Sequence, residues 1–187
     1  VEFGIGVIPA GGGTKEFAVR LSDELSEGGI RTNQFRNRLM TIAQAKVSTS
    51  AYEAFELGYL RKGIDEVVVN RSMQLTVAKN KALQLAKKGY TEPVERKDIE
   101  VMGNEGLGLV FVGAETMVSG HYMSEHDRVI SEKLGWVLCG GDLSYPQQVS
   151  EQYLLDLERK AFIELCGTRK TLERLQSIVK SGKVLRN

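Results

Sequence analysis

At 187 residues, 42% of them hydrophobic and with a formal net charge of +1, the chain has room for one domain with a real core and a helical appendage. Lys and Arg are interspersed with Asp and Glu, which excludes a generic nucleic-acid surface, and no apolar run is long enough to span a bilayer. No signal peptide is visible, and Cys139 and Cys166, isolated and outside any C-x-x-C, read as buried reduced thiols of a cytoplasmic or otherwise reducing compartment.

The chain opens on an apolar, extended-looking segment, Val1 to Val7, that carries Glu2 and predicts a short strand. Pro9 then fixes its own φ and pushes Ile8 toward an extended conformation. Gly11, Gly12 and Gly13 let backbone N–H groups approach a ligand closely, and a helix starts at Thr14 with free N–H groups at its head. Strand, glycine turn and helix start together predict a site for an anion or a carbonyl, with a tight unliganded turn as the alternative. Glu2, beside that turn, is a candidate for proton transfer, the alternative being an exposed carboxylate. Gly4-x-Gly6 is no dinucleotide fingerprint, because Pro9 stands where G-x-G-x-x-G needs Gly.

Thr14 to Glu27 has a helical stripe of Phe17, Ala18, Leu21 and Leu25, ended by Gly28-Gly29. Gln34 to Lys46 has Phe35, Leu39, Ile42 and Ala43 on one face. Ser50 with Glu53 makes a capping-box spacing for a short helix that Gly58 stops. Gly63 to Asn70 contains Val67-Val68-Val69 and predicts a strand. Met73 to Lys88 is amphipathic, with Leu75, Ala78, Ala82, Leu85 and Ala86 expected inside and Lys79, Lys81, Lys87 and Lys88 outside.

Thr91 to Gly106, polar and holding Pro93, reads as a loop. Leu107 to Ser119 is apolar and reads as a helix. Ser124 with Asp127 marks another helix start, whose buried face is Val129, Ile130, Leu134, Val137 and Leu138. Ser150 caps Glu151 to Cys166, with a stripe of Leu154, Leu157, Ala161 and Leu165. Thr168 starts the last helix, with Leu172, Leu175, Ile178 and Val179 expected inside and Gly182 as terminator. His121 and His126 lie at spacings unsuited to a metal set, His126 reads as a surface or interhelical hydrogen-bonding group, and Trp136 reads as core.

Three stretches carry a resemblance. Glu2, Gly6, Pro9, Gly12, Gly13 and Thr14 match, in register, the pattern P-E-x-x-L-G-x-x-P-G-x-G-G-T, with departures at Val1, Ile5 and Ala10. Ser50-Ala51-Tyr52-Glu53-Ala54, running to Gly58-Tyr59-Leu60, is similar to S-A-x-E-A-x-x-x-G-L-V. Both patterns belong to the crotonase superfamily of enoyl-CoA hydratases and isomerases. Ser124-Glu125-His126-Asp127, Glu151 to Phe162 and the ending Gly182-Lys183-Val184-Leu185-Arg186-Asn187 resemble the C-terminal part of bacterial 3-hydroxyacyl-CoA dehydrogenases that carry a hydratase/isomerase domain. Val184 replaces the Pro usual there.

The resemblance implies an α-rich α/β fold. Residues 1–90 would form the C-terminal half of a crotonase-like ββα spiral, and residues 91–187 a helical C-terminal region. It implies acyl-CoA as substrate, a cytoplasmic enzyme of fatty-acid β-oxidation, and a homo-oligomer. Glu2 would be the catalytic acid/base, and Pro9, Gly11, Gly12 and Gly13 the substrate-binding turn. Lys180 and Lys183 would lie near the CoA phosphates, a solvated tail being the alternative. The chain itself would hold no metal and no cofactor, since NAD would belong to a dehydrogenase region of which no residue is present. The opening inside a motif suggests a piece of a longer protein, whose second glutamate and oxyanion donors would precede Val1. Two other readings stay open: double-bond isomerisation on the single carboxylate of Glu2, and a non-catalytic helical oligomerisation unit.

Overall fold

The computed structural model describes residues 2–26 and 30–187. The elements in chain order are a 3-10 turn at Glu2–Ile5, then α1 (Gly13–Ser26), α2 (Arg31–Ala43), α3 (Ala51–Glu56), a 3-10 turn at Arg71–Met73 and α4 (Gln74–Lys87). After these come β1 (Ile99–Val101), α5 (Asn104–Ser119), α6 (Glu125–Leu138), β2 (Gln147–Val149), α7 (Glu151–Cys166) and α8 (Arg169–Ser181). The chain is helix-rich, and it divides into two compact units: Val1–Val47 with Arg96–Asn187, and Ser48–Glu95.

Helix α6 is the centre of the larger unit. Ile130, Leu134, Val137 and Leu138 recur at i, i+4, i+7 and i+8, and all are buried. Helices α1, α2, α5 and α7 pack around it. Each fully buried aliphatic side chain contributes about 1.5–3 kcal/mol. The α5–α6 crossing is close: a Cβ at Gly135 would stand 2.5 Å from a γ-carbon of Val110, so only glycine admits this approach. The start of α6 is closed by a full capping box, in which Ser124 Oγ accepts from the Asp127 N–H at 3.1 Å and Asp127 Oδ2 accepts from the Ser124 N–H at 3.3 Å. Ser150 and Thr168 cap α7 and α8 in the same local way.

Several expectations are corrected. The segment Glu2–Ile5 is a 3-10 turn and not a strand, while Val1 lies outside the described residues. Its backbone pairs with itself, Gly6 N–H to Phe3 O at 3.1 Å and Val7 N–H to Glu2 O at 3.1 Å. An extended form here would have no strand beside it, because the one sheet among the described residues is the antiparallel pair β1–β2. For the same reason Val67–Val69 forms no strand, and Val69 is exposed. The stretch read as a loop, Thr91 to Gly106, contains β1 and the start of α5. Ile99 and Val101 face the core on either side of Glu100, in register with Val149 and Gln147. Its charged flank disguised a strand of minimal length, and Gln147–Val149 carried no strand signal of its own.

Burial differs from pattern in both late and middle helices. In α8 the wholly buried side chains are Thr171 and Arg174, whereas Leu172 is half-exposed and Val179 is 86% exposed. In the smaller unit, α3 is capped by Ser50 as its spacing predicts. No residue of α4 is buried, and Leu75 and Leu85, expected inside, are exposed. Trp136 is half-buried rather than core: its ring lies 5.6 Å from Lys133 Nζ and 5.3 Å from Lys160 Nζ, and its Nε1–H donates to Asp142 at 2.9 Å. Cys139 is buried, which pushes its thiol up to about 12, while Cys166 is half-buried.

Candidate active site at the glycine turn

Pro9 begins a turn that ends in α1. Thr14, wholly buried, donates its hydroxyl to Pro9 O at 2.7 Å and closes the turn on itself. Gly12 takes a φ of +87°, a conformation that a side chain would strain. The head of α1 is met by a carboxylate from another helix. Glu158, on the face of α7 that packs inward and 1% exposed, accepts from the Gly12 N–H at 2.7 Å through Oε1. Its Oε2 accepts from the Lys15 N–H at 2.8 Å. A carboxylate at a helix head satisfies free N–H groups and matches the positive end of the helix dipole.

Against this turn lies a cavity of about 320 Å³, lined by Glu2, Ile8, Ala10, Gly11, Leu155, Glu158, Arg159 and Phe162. The fold thus brings Glu2 and Gly11 to one cavity, with two carboxylates and an arginine on a largely apolar wall. Pro9, Gly12 and Gly13 shape the turn behind it. Lys180 and Lys183 are exposed near the end of α8 and are not among its lining residues. Sequence reasoning passed over Glu158 as a site residue. Its signal was present, since it stands at i+4 from Leu154 and i−3 from Ala161, a charge within an apolar stripe.

The 3-10 turn that carries Glu2 is held from the other side by α8. Thr171 donates its hydroxyl to Gly6 O at 2.7 Å, so His126 Nε2, 2.9 Å from Thr171 Oγ1, donates to that hydroxyl oxygen. His126 is buried, and burial, followed by the nearby Arg174 and Lys170 cations, holds it below its ordinary value of 6.5. A second and larger opening, a groove of about 990 Å³, runs between α2 and α5, lined by Phe35, Leu39, Met40, Leu109 and Met117 among others. Phe3 reaches this groove while its neighbour Glu2 reaches the smaller cavity.

Lys15 bridges Glu16 at 3.3 Å and Glu151 at 3.0 Å. Burial opposes the charge on Lys15, but those carboxylates raise its affinity for the proton above the ordinary value. Glu151 is held low, first by Lys15 and then by the Arg96 N–H. Among the described residues no group of three His, Cys, Asp or Glu side chains is placed to hold a metal ion, and no helix is long and apolar enough to cross a membrane. Gly4 and Gly6 lie in and beside the 3-10 turn and not between a strand and a helix, where a G-x-G-x-x-G turn stands.

Comparison with known proteins supplies relatives of one kind. The chain is 41% identical over all its 187 residues to a Bacillus subtilis protein named as a 3-hydroxyacyl-CoA dehydrogenase, of which it spans 23%. It is 28% identical over 181 residues to a Rickettsia felis protein, and 27% identical over 179 residues to a Rickettsia prowazekii protein. Both are named as the trifunctional enzyme of a fatty acid oxidation complex, and the chain spans 21% of each. No family model matches, and no solved structure matches significantly. The chain is thus similar, along nearly its whole length, to a segment of each of these three proteins, and it spans less than a quarter of their length.

Proposed function

We propose that this chain serves as the enoyl-CoA hydratase region of a multifunctional 3-hydroxyacyl-CoA dehydrogenase of fatty-acid β-oxidation, acting on acyl-CoA thioesters in the cytoplasm. Residues 1–90 contribute the C-terminal half of a crotonase-like core, and residues 91–187 extend it as helices. The observation that carries this reading is the convergence of Glu2 and Gly11 on one cavity, in a chain whose relatives are named as a 3-hydroxyacyl-CoA dehydrogenase and as trifunctional enzymes of a fatty acid oxidation complex. Glu2 moves a proton at C2 of the acyl chain. Ile8, Leu155 and Phe162 supply an apolar wall that keeps water from the reacting carbon except where it is admitted. Pro9, Gly11, Gly12 and Gly13 hold the turn against which the thioester lies, while Lys180 and Lys183 attract its phosphates from the surface. The second glutamate and the oxyanion donors of a hydratase come from outside this chain, so residues 1–187 alone have little activity. NAD serves a dehydrogenase region and takes no part here.

Isomerisation of 3-enoyl-CoA is the second reading, favoured by Glu158, the other carboxylate of the cavity, whose two oxygens each accept a backbone N–H, since proton shuttling at C2 and C4 can run on one carboxylate. The test is steady-state turnover of 2-enoyl-CoA and 3-enoyl-CoA by the full multifunctional protein and its Glu2→Gln variant, with acyl-CoA binding followed separately. Loss of about a hundred-fold or more in turnover, at little change in binding, is the expected result. Turnover of both substrates within a few-fold of wild type would remove Glu2 from the mechanism.

A further inference from the structure

Glu158 shares a cavity with Glu2, yet it is not free to act as an acid or base. Its carboxylate is buried, and each oxygen already accepts a backbone N–H of the glycine turn or of the first turn of α1, at 2.7 and 2.8 Å. We propose that Glu158 is a positioning residue for proton transfer at Glu2: from α7 it clamps the Pro9–Gly13 turn in the one conformation that shapes the cavity Glu2 also lines. This rests on the functional reading above.

The physical case starts from the turn. Three adjacent glycines have more backbone freedom than any other residues, and ordering them costs more. The hydroxyl of Thr14 ties only the carbonyl at Pro9. What selects the conformation at Gly12, with its φ of +87°, is an acceptor fixed on another helix. Holding two N–H groups with the two oxygens of one carboxylate restrains the turn in rotation as well as translation. The clamp is charge-assisted and shut off from water, so it is stiff. Helix α7 then supplies Leu155, Arg159 and Phe162 to the same cavity, so clamp and wall are parts of one rigid element. The N–H groups of Gly12 and Lys15 are taken, so the turn acts by its shape and does not donate these two to a thioester oxygen.

The test uses the full multifunctional protein, with Glu2→Gln as the reference for lost chemistry. Glu158→Gln keeps the shape but turns an NH2 toward one of the two backbone donors, so a single N–H is held. Expected is a fall in kcat of about tenfold or more, the scale on which small misplacements act, with KM little changed. A merely structural role is separated by titrating each variant with butyryl-CoA, which cannot be hydrated. Positioning leaves one binding site per folded chain, whereas loss of folded protein lowers the stoichiometry in step with kcat and overturns the proposal. Should Glu158→Gln fail to fold, Glu158→Asp keeps the charge but is a methylene too short to reach both donors, and it is read in the same way. A variant that turns over within about twofold of wild type, while Glu2→Gln is inactive, also overturns it. A wild-type protein that turns over neither 2-enoyl-CoA nor 3-enoyl-CoA overturns the functional reading, and this inference with it.

Discussion

Arg174 Nη1 donates to Asp127 Oδ1 at 2.8 Å, with the guanidinium wholly shut off from solvent and the carboxylate nearly so. The pair does more than join α8 to α6. Asp127 is also the acidic member of the α6 capping box, and Arg174 Nε donates to Asn187 Oδ1 at 2.8 Å. One ion pair therefore ties together a helix start, the middle of another helix and the chain's last residue. Removing Arg174 leaves the buried Asp127 carboxylate with only the exposed Arg186 guanidinium, 3.6 Å away, as counter-charge. Arg174→Met is expected to destabilise the fold by about 3–5 kcal/mol in chemical denaturation, and replacing Asp127 by Leu in addition to recover part of that loss. A cost below about 1 kcal/mol for Arg174→Met would mean that the pair is not sealed from water.

His126 makes stability depend on pH. Folded, it is held below its ordinary 6.5 by burial and by the cations of Arg174 and Lys170. Between the folded and the unfolded value the unfolded chain binds a proton that the folded chain does not, so acid favours unfolding. The full contribution is present above pH 6.5 and is lost as pH falls toward the folded value. The melting temperature is expected to decline from pH 7.5 to pH 5.5, and His126→Gln to flatten that decline. Identical slopes for the two proteins would show that His126 is not the titrating group.

The α5–α6 crossing is expected to reject a single methyl group. A Cβ at Gly135 meets two γ-carbons of Val110 at 2.5 and 2.8 Å, and a β-branched side chain cannot rotate both away. Gly135→Ala should cost about 1–3 kcal/mol in equilibrium unfolding, and Val110→Ala in the same chain should relieve part of it. Independent, additive costs for the two substitutions would contradict the contact.

Apolar surface left uncovered in the larger unit should report itself. Phe111 and Val112 on α5 and Val179 on α8 are exposed. Residues 1–187 expressed alone are expected to bind a hydrophobic dye and to self-associate as concentration rises. Light scattering that shows a monomer at high concentration, with no dye fluorescence, would count against an interface on these faces.

What the sequence by itself determined is local. The starts of α3, α6, α7 and α8 were legible in Ser50, Ser124, Ser150 and Thr168, because a cap is a bond between residues two or three positions apart and needs no other part of the fold. Four of the five residues read as the buried face of α6, Ile130, Leu134, Val137 and Leu138, are buried, because neighbours surround that face, while Val129 at its edge is exposed. Strands were not legible, because a strand exists only with a partner: Val67–Val69 has strand chemistry and no partner, while Ile99–Val101 has three residues and one partner. Tertiary structure alone decided which face of α8 turns inward. Thr171 and Arg174 are buried against Gly6, His126 and Asp127, groups distant in the chain whose hydrogen bonds outweigh the apolar stripe of Leu172 and Val179. It decided the glycine turn in the same way. Gly11 to Gly13 announce that the backbone can bend, but the acceptor that fixes the bend is Glu158 on a helix far along the chain. No local pattern can encode that meeting, because a glycine's conformation depends on what the fold places against it.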